Sequence, residues 1–253
     1  MKKIYLLGKN IQKSLSPIIH EYVYEKLNIN ASYSIADLND SSDIDRFLND
    51  IKTNNIYGLN ITTPYKHDVK DRIEKISKKA YEIGAINCID SKLKGYNTDC
   101  YGFIKMVQKN NILLSNKNIF IIGSGGSSKA VLFSLQVTGY KNIYHFNRNN
   151  LNDILTLKLG NNDVVINCTP KHFINDSQDF LNYFIENKFM WIDLLYTKLS
   201  TKTLIEIEKR HSKLYLNGID MLIYQALASM NIWFRKDIEK NVDFNDLKSW
   251  IKR

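Results

Sequence analysis

A glycine-rich turn between a short apolar run and a helical pattern is the feature that most constrains the fold. The run Asn118–Ile122 has no polar alternation, and Gly123-Ser124-Gly125-Gly126-Ser127-Ser128 follows it directly, ahead of a helical stretch over 130–136. An uninterrupted apolar strand is typical of parallel sheets covered on both faces. Such a unit favours dinucleotide binding, because Gly123 allows the tight turn and Gly125 lets the backbone approach a pyrophosphate at the helix N-terminus. Alone, the turn is a weak signal, since many strand–helix turns are rich in glycine.

Strands and helices alternate along the rest of the chain. Ser16-Pro17 begins the first helix, with Ser16 as the expected N-cap and Pro17 at the first helical position. In the second half, the order strand–helix–strand–helix–strand predicts a doubly wound α/β sheet, and the domain boundary is expected near 100–115. The predicted strands cover 4–8, 31–36, 56–61, 85–89, 92–96, 118–123, 142–146, 164–167 and 190–194, and the predicted helices cover 16–27, 43–51, 99–109, 130–136, 221–234 and 244–251.

Composition excludes several classes of protein. The 253 residues are 44% hydrophobic and 24% charged, which excludes a disordered or fibrous chain. No apolar run approaches the roughly 18–20 residues of a membrane span, so no membrane partner is expected. The apolar stretch that ends at Gly8 is too short for a signal peptide and predicts a strand. The cysteines, Cys88, Cys100 and Cys168, are odd in number and lack CxxC spacing, which favours a reducing cytoplasm over a disulfide framework or a Cys-rich zinc site.

The net charge of +9 raises the possibility of a nucleic-acid partner. However, the lysines are dispersed, and the chain has no dense Lys/Arg block and no aromatic RNA-binding motif. We therefore interpret the charge as a solvated lysine-rich surface that favours anionic metabolites, and we expect no nucleic-acid partner.

The end of the second strand of the doubly wound sheet indicates which dinucleotide would bind. NAD-preferring sites usually carry Asp or Glu there, to hold the ribose diol. This strand ends in His145-Phe146-Asn147-Arg148, which has no acid and places Arg148 to meet a 2′-phosphate. The alternative is a surface arginine in a polar loop. The charge pattern favours NADP over NAD.

A different set of polar residues lies in the N-terminal half. Lys66 follows a predicted strand end, and Asp99 directly precedes a helix. A lysine and an aspartate can pair across a cleft for proton transfer, with the carboxylate orienting the ammonium. Ser14 and Ser16 lie at a helix start, where hydroxyl and N–H groups suit a carboxylate. From spacing alone each assignment is weak, because Ser16 also suits an N-cap and Lys66 a surface position.

Taken together, the motifs resemble those of the shikimate dehydrogenase family, in the family's order from residue 14 to residue 226. The similar blocks, with the family pattern after each, are Ser14–His20 (SxSPxxH), Asn60–Lys66 (NVTxPxK), Gly84–Asn87 (GAxN), Asn97–Phe103 (NTDxxGF), Gly123–Gly126 (GxGG), Asn147-Arg148 (NR), Asn167–Pro170 (NxTP), Asp193–Tyr196 (DxxY) and Asn217–Ala226 (NGxxMLxxQA).

The resemblance implies a two-domain α/β enzyme. An N-terminal α/β domain over 1–105 would bind shikimate or 3-dehydroshikimate, a Rossmann-type domain over 106–216 would bind NADP, and C-terminal helices over 217–253 would pack back on the first domain. Lys66 and Asp99 would be the catalytic pair. The implied substrate-binding residues are Ser14, Ser16, Asn60, Thr62, Asn87, Tyr196 and Gln225, and the implied cofactor-binding residues are Gly123, Ser124, Gly125, Gly126, Ser127, Asn147, Arg148, Thr169, Gly218 and Met221.

The implied reaction is the reduction of 3-dehydroshikimate to shikimate with NADPH, in the cytoplasm, by a monomer or homodimer that needs no metal. The alternatives are an NAD-using quinate/shikimate dehydrogenase and a non-catalytic nucleotide-binding relative. The first would need an acid near the second strand end, where Asp153 is the nearest candidate. The second is expected to have lost Lys66 or Asp99, and both are present.

The chain departs from the family pattern beside several blocks. Lys13 stands where His is frequent, Asn152 where a second basic residue often supports NADP, and Lys171-His172-Phe173 where the family has a small residue followed by Gly-Met. Cys88 and Cys100 replace Thr and Gly. We interpret the cysteines as small apolar fillers. The competing hypothesis places Cys88 or Cys100 near the cleft, so that alkylation would inhibit and shikimate would protect.

Overall fold

The structure is a computed structural model, and it describes residues 1–169, 178–196 and 215–251. The chain divides into two units: Met1–Met106 with Asp220–Arg253, and Val107–Ile219. The first unit is therefore discontinuous in sequence, whereas the second is one continuous segment.

The first unit is built on a mixed sheet with the strand order β2-β1-β3-β5-β6-β4. β1 pairs in parallel with β2 and β3, while β5 pairs antiparallel with β3 and β6, which confirms the predicted hairpin-like pair. The short strand β4 extends the far edge, parallel to β6. The strands are β1 (Lys2–Gly8), β2 (Ala31–Asp37), β3 (Gly58–Ile61), β4 (Lys75–Ile76), β5 (Cys88–Ile89) and β6 (Lys94–Tyr96).

Four helices accompany these strands: α1 (Ser16–Lys26), α2 (Ile44–Lys52), α3 (Lys78–Ile83) and α4 (Asp99–Lys109). In α2 the apolar residues recur at helical spacing, and this face is buried against the sheet in one core cluster with β1 and β3. α3 is a six-residue helix that the sequence pattern does not reveal. Ser77 caps its N-terminus by accepting from the Ala80 N–H, and Gly84 ends it in the left-handed conformation.

The prediction that Ser16 caps α1 is wrong. Ser16 is already the first helical residue, and the N-cap position belongs to Leu15, which makes no side-chain cap bond. The hydroxyl that serves this helix start is that of Ser14, whose Oγ accepts from the Ser16 N–H at 3.2 Å. A helical backbone at Ser16 turns its side chain away from the free N–H groups, so the capping function moves two residues upstream.

The second unit is a doubly wound sheet of parallel strands with the order β11-β10-β9-β7-β8. From β7 the chain first moves to one side, and it then crosses back to add β9 and the strands beyond it. Ligands in such sheets bind beyond the carboxyl ends of the strands where the order reverses, here β7 and β9. Its elements are β7 (Asn118–Ile122), α5 (Gly126–Val137), β8 (Ile143–Phe146), β9 (Asp163–Asn167), α6 (Gln178–Glu186), β10 (Met190–Asp193) and β11 (Tyr215–Asn217).

Two carboxyl-terminal helices, α7 (Ile219–Phe234) and α8 (Phe244–Ile251), complete the described chain. Apart from its first residue, α7 belongs to the first unit, where the indole N–H of Trp233 donates to the Ile89 carbonyl at 2.9 Å. A methyl group on Gly58 would lie only 2.5 Å from that indole nitrogen, so the glycine allows β3 and α7 to approach closely. Within the described ranges, none of the helices has the length and apolar character needed to cross a bilayer.

Candidate functional site

Lys66 and Asp99 form a buried ion pair in the first unit. The Lys66 Nζ donates to Asp99 Oδ2 at 2.7 Å, and the two residues are 7% and 5% exposed. Lys66 lies in the turn that follows β3, in which the Tyr65 N–H donates to the Thr62 carbonyl. Asp99 is the first residue of α4, where the helix dipole favours a carboxylate. The pairing on which the acid–base hypothesis depends is therefore made across 33 residues of sequence.

Asn87 holds the other oxygen of the Asp99 carboxylate. Its Nδ2 donates to Asp99 Oδ1 at 2.8 Å and to Thr98 Oγ1 at 2.9 Å, and its Oδ1 accepts from the Thr98 N–H at 2.7 Å. The Gln225 Oε1 on α7 lies 3.5 Å from the same nitrogen. The structure therefore brings together four residues named from the sequence: Lys66, Asn87, Asp99 and Gln225.

Asn60, in β3, is connected to the same hydrogen-bond network through the Asn87 carbonyl. Its Nδ2 donates to the Asn87 carbonyl at 2.9 Å and to Ser229 Oγ at 3.1 Å, and its Oδ1 accepts from the Tyr33 hydroxyl at 2.9 Å. Sequence reasoning missed Tyr33 and Ser229. Neither lies in a recognisable motif, and Ser229 lies 169 residues from Asn60, so no local pattern points to this contact.

The hydroxyl residues named for substrate binding, Ser14, Ser16 and Thr62, make hydrogen bonds near the start of α1 and the end of β1. Ser14 is half-buried and Ser16 is 6% exposed, and they are linked to each other at the start of α1. Thr62 is half-buried, and its N–H donates to the Leu7 carbonyl beside the end of β1. A methyl group on Gly8 would lie 2.5 Å from the Thr62 side chain, so glycine at that position leaves room for Thr62.

The glycine-rich turn of the second unit lies between the carboxyl ends of β7 and β9. Gly123 has a φ of +119°, and a Cβ there would lie 3.1 Å from the Cys168 carbonyl carbon. Gly125 is the N-cap of α5, and a Cβ there would meet nothing within 4 Å. The N-cap of α5 is thus a glycine, which has no capping side chain and leaves open space at its own Cβ position. This arrangement fits a pyrophosphate that would accept hydrogen bonds from the first turn of the helix.

Side chains behind the turn hold its backbone in place. Ser128 Oγ donates to the Gly123 carbonyl at 2.6 Å, and His145 Nε2 lies 2.5 Å from the same oxygen. Ser128, which occupies the third glycine position of the fingerprint, therefore has a structural role of its own. Ser124 is exposed, and Gly126 and Ser127 are half-buried at the beginning of α5.

Arg148 is exposed in the turn that follows β8, and the described residues place no carboxylate within ion-pair distance of it. Asparagine side chains form the turn: Asn150 Oδ1 accepts from the Asn147 N–H at 2.7 Å, and Asn147 Oδ1 accepts from the Asn149 N–H at 2.9 Å. The guanidinium is thus presented by a hydrogen-bonded loop. Asn152 is exposed in the following 3₁₀ turn.

The remaining residues named for the cofactor and the substrate are divided between the two units. In the second unit, Thr169 donates through N and Oγ1 to Asn167 Oδ1, and Gly218 lies so close to β10 that a Cβ would clash with the Leu194 carbonyl. Tyr196, also in that unit, is half-buried. Met221 is buried in α7 of the first unit. Pro170 and the departure Lys171-His172-Phe173 lie outside the described residues.

All three cysteines are free and buried, as expected of apolar fillers. Burial raises the pKa of the Cys88 and Cys168 thiols well above the ordinary value, so the reactive thiolate is suppressed at neutral pH. Among the residues that the structure describes, no three His, Cys, Asp or Glu side chains are grouped as metal ligands.

Comparison with known proteins decides the family. Residues 6–89 match the family described as the shikimate dehydrogenase substrate binding domain. The NADP(+)-dependent shikimate dehydrogenase of Clostridium botulinum (strain Loch Maree) is 36% identical over 249 residues, which covers 90% of this chain and 95% of that protein. The chain belongs to the shikimate dehydrogenase family.

Further relatives and solved structures agree with this family. The NADP(+)-dependent shikimate dehydrogenase of Caldicellulosiruptor bescii is 32% identical, with 92% of this chain and 90% of that protein covered. The crystal structure of shikimate dehydrogenase 1 from Peptoclostridium difficile has a TM-score of 0.82 at 28% identity and covers 100% of this chain and 97% of that one. The resemblance and the α/β fold predicted from the sequence are confirmed, and the chain is an oxidoreductase.

Proposed function

We propose that the chain catalyses the reversible reduction of 3-dehydroshikimate to shikimate, the step of the shikimate pathway that leads toward chorismate and the aromatic amino acids. The observation that carries the mechanism is the buried Lys66–Asp99 pair at 2.7 Å. NADPH, when bound, supplies the hydride. Everything else in the reaction is the work of side chains that bind the ring and move one proton.

In this mechanism Lys66 is the proton donor. When the ring ketone becomes an alkoxide, a buried ammonium stabilises the negative charge strongly because little water screens it. Lys66 then gives up a proton to the alkoxide oxygen. In the oxidative direction a neutral Lys66 takes the proton back. Asp99 orients the Lys66 Nζ through Oδ2, and its Oδ1 accepts from Asn87. A neighbouring ring hydroxyl would donate to the same carboxylate.

The substrate would be held by polar groups of the first unit. Ser14 and Ser16 would bind the carboxylate at the N-terminus of α1. Thr62, Asn87 and Gln225 would contact the ring hydroxyls. The Gln225 Oε1, which lies 3.5 Å from Asn87 Nδ2, can accept a stronger bond from a ring hydroxyl instead.

NADP would occupy the second unit. The backbone from Gly123 to Ser127 would hold the pyrophosphate, and Asn147 and Arg148 would hold the adenosine ribose with its 2′-phosphate. Thr169 and Gly218 would be further cofactor contacts in this unit. The NADP(+)-dependent names of the relatives support this preference. The free thiols Cys88, Cys100 and Cys168 suit a reducing compartment, and we place the enzyme in the cytoplasm.

The deciding experiment follows the absorbance of reduced nicotinamide when the purified chain receives shikimate with NADP, and in parallel with NAD. Turnover with NADP and little with NAD is the expected result. Turnover with NAD, repeated with quinate as substrate, would instead identify a quinate/shikimate dehydrogenase. No turnover with either cofactor would contradict the proposal.

A further inference from the structure

Tyr33 is linked to the site through Asn60, and its ring is held by an aromatic stack. Its ring lies parallel to the His20 imidazole, with a centroid distance of 3.8 Å and an interplanar angle of 6°. Both residues are buried, at 4% and 0% exposure, and His20 Nδ1 is 3.1 Å from the Tyr24 hydroxyl. Burial lowers the pKa of His20 to about 3, so the stacked imidazole is neutral in the physiological range. The Tyr33 ring is therefore fixed on a rigid, uncharged support.

The Tyr33 hydroxyl determines which way the Asn60 amide faces. A phenol donates one hydrogen bond, and here the acceptor is Asn60 Oδ1 at 2.9 Å. With the oxygen turned toward Tyr33, the Asn60 Nδ2 points to the Asn87 carbonyl and to Ser229 Oγ. Both N–H groups of Asn60 are thus used within the protein. A substrate hydroxyl could therefore bind Asn60 as a donor to the second lone pair of Oδ1, and not as an acceptor from its N–H groups.

The bonds made by Asn60 support the residues of the reaction itself. Asn87 receives one of them on its main chain and directs its own side chain to Asp99 Oδ1. Ser229 receives the other and donates to the Gln225 carbonyl at 3.0 Å on α7. A continuous buried series of hydrogen bonds therefore leads from Tyr33 to Asp99. Buried networks of this kind strengthen one another and restrict side-chain orientation.

We propose that Tyr33 is a positioning residue for the reduction: braced by His20, it orients the Asn60 amide, and Asn60 in turn supports Asn87 and the α7 segment that carries Gln225. The inference rests on the proposed function and adds to it Tyr33, a residue outside the sequence motifs. It predicts that loss of the Tyr33 hydroxyl lowers kcat/KM for shikimate and leaves the KM for NADP unchanged.

The test is Tyr33→Phe, which keeps the stack on His20 and removes only the hydroxyl. We expect kcat/KM for shikimate to fall about tenfold, which corresponds to about 1.4 kcal/mol, while the KM for NADP changes less than about twofold. The matched control is Tyr57→Phe, which also loses a 2.9 Å hydroxyl bond in the same unit, to the Trp233 carbonyl. Equal effects of the two substitutions, or parallel losses for shikimate and NADP, would overturn the proposal.

A double-mutant cycle with Asn60→Ala tests the route of the effect. If Tyr33 acts through Asn60, the double variant has the kcat/KM of Asn60→Ala alone, whereas additive losses would contradict that route. Should Asn60→Ala fail to fold, the comparison with Tyr57→Phe still decides. The wild-type chain is assayed first: absence of its turnover rejects the proposed function, while wild-type turnover with an unaffected Tyr33→Phe rejects the positioning role alone.

Discussion

The Lys66 side chain is both buried and charged, which is costly, and the Asp99 carboxylate at 2.7 Å offsets that cost. We expect Lys66→Met to lower kcat by about 10²–10⁴-fold with a smaller change in the KM for shikimate, because the ammonium acts mainly on the developing alkoxide. Steady-state kinetics measure both quantities. Lys78→Met, at a lysine whose side chain is 90% exposed, is the control for loss of one positive charge. A rise in KM alone would mean that Lys66 only binds.

Arg148 is expected to decide between the two cofactors. Because it is exposed and has no described carboxylate partner, its guanidinium is available to a 2′-phosphate. Arg148→Ala should raise the KM for NADPH by about tenfold or more, the scale of a lost hydrogen bond between charged groups, and leave the KM for NADH nearly unchanged. Lys141→Ala removes one charge from an exposed loop of the same unit and serves as the control. Equal effects on both cofactors would exclude the phosphate contact.

His20 makes stability depend on pH. Its pKa is about 3 in the folded chain, against an ordinary 6.5, so the unfolded chain binds a proton between these values that the folded chain does not. Acidification below about pH 6.5 therefore lowers the free energy of unfolding by about 1.4 kcal/mol per pH unit, and this stability returns as pH rises. In His20→Phe this pH dependence of the free energy of unfolding should be absent, which urea titrations between pH 7 and pH 5 would measure. The same slope in both proteins would show that His20 becomes protonated while folded.

Helices α4 and α7 cross at Gly102. A methyl group there would lie 2.6 Å from the Met221 carbonyl oxygen, which is backbone and cannot rotate away, and 3.0 Å from Gln225 Cβ. We expect Gly102→Ala to lower the free energy of unfolding by about 1–3 kcal/mol despite its better helix propensity, and to raise the KM for shikimate because Gln225 shifts. In Gly160→Ala, where a Cβ meets nothing closer than 4.0 Å, a change within about 0.5 kcal/mol is expected.

The pattern of apolar residues was sufficient to predict the long secondary-structure elements. α4 has the predicted bounds Asp99–Lys109, because its apolar spacing extends over several turns. β4, α3 and β11 were missed, since strands of two or three residues and a six-residue helix are too short to show a period. β4 and β11 are stabilised by pairing with neighbouring strands rather than by their own sequence, whereas α3 is marked only by its caps at Ser77 and Gly84.

The residues of the site could be predicted only where a chemically suggestive residue type stands at a recognisable position in a motif. Lys66, Asp99 and the glycine-rich turn carry residue types that suggest their use, and the structure joins Lys66 to Asp99 directly. Tyr33 and Ser229 carry no such signal, because a tyrosine in a strand and a serine in a helix usually need no special explanation. Their importance appears only when the fold brings distant segments to Asn60.

The whole chain offers a way to measure the stability of its two units separately. Cys88 and Cys100 are buried in the first unit and Cys168 in the second, so alkylation of each requires local or global opening. We expect native protein to label slowly, with shikimate slowing Cys88 and Cys100 and NADP slowing Cys168, each by about 100-fold at 100 times its Kd. Mass spectrometry of peptides from labelled protein separates the three rates. Rapid labelling of the folded chain would contradict the buried positions.

The discontinuity of the first unit has a consequence for how the protein is made. Asn60 can bond to Ser229 only after a further 169 residues have been synthesised. The Ile89 carbonyl likewise accepts from Trp233 only after a further 144 residues. The second unit is continuous and can fold as it emerges, whereas the segment that carries Lys66 and Asp99 stays incomplete until α7 has left the exit tunnel. Nascent chains that stop before α7 would therefore expose an unfinished amino-terminal half to chaperones and proteases.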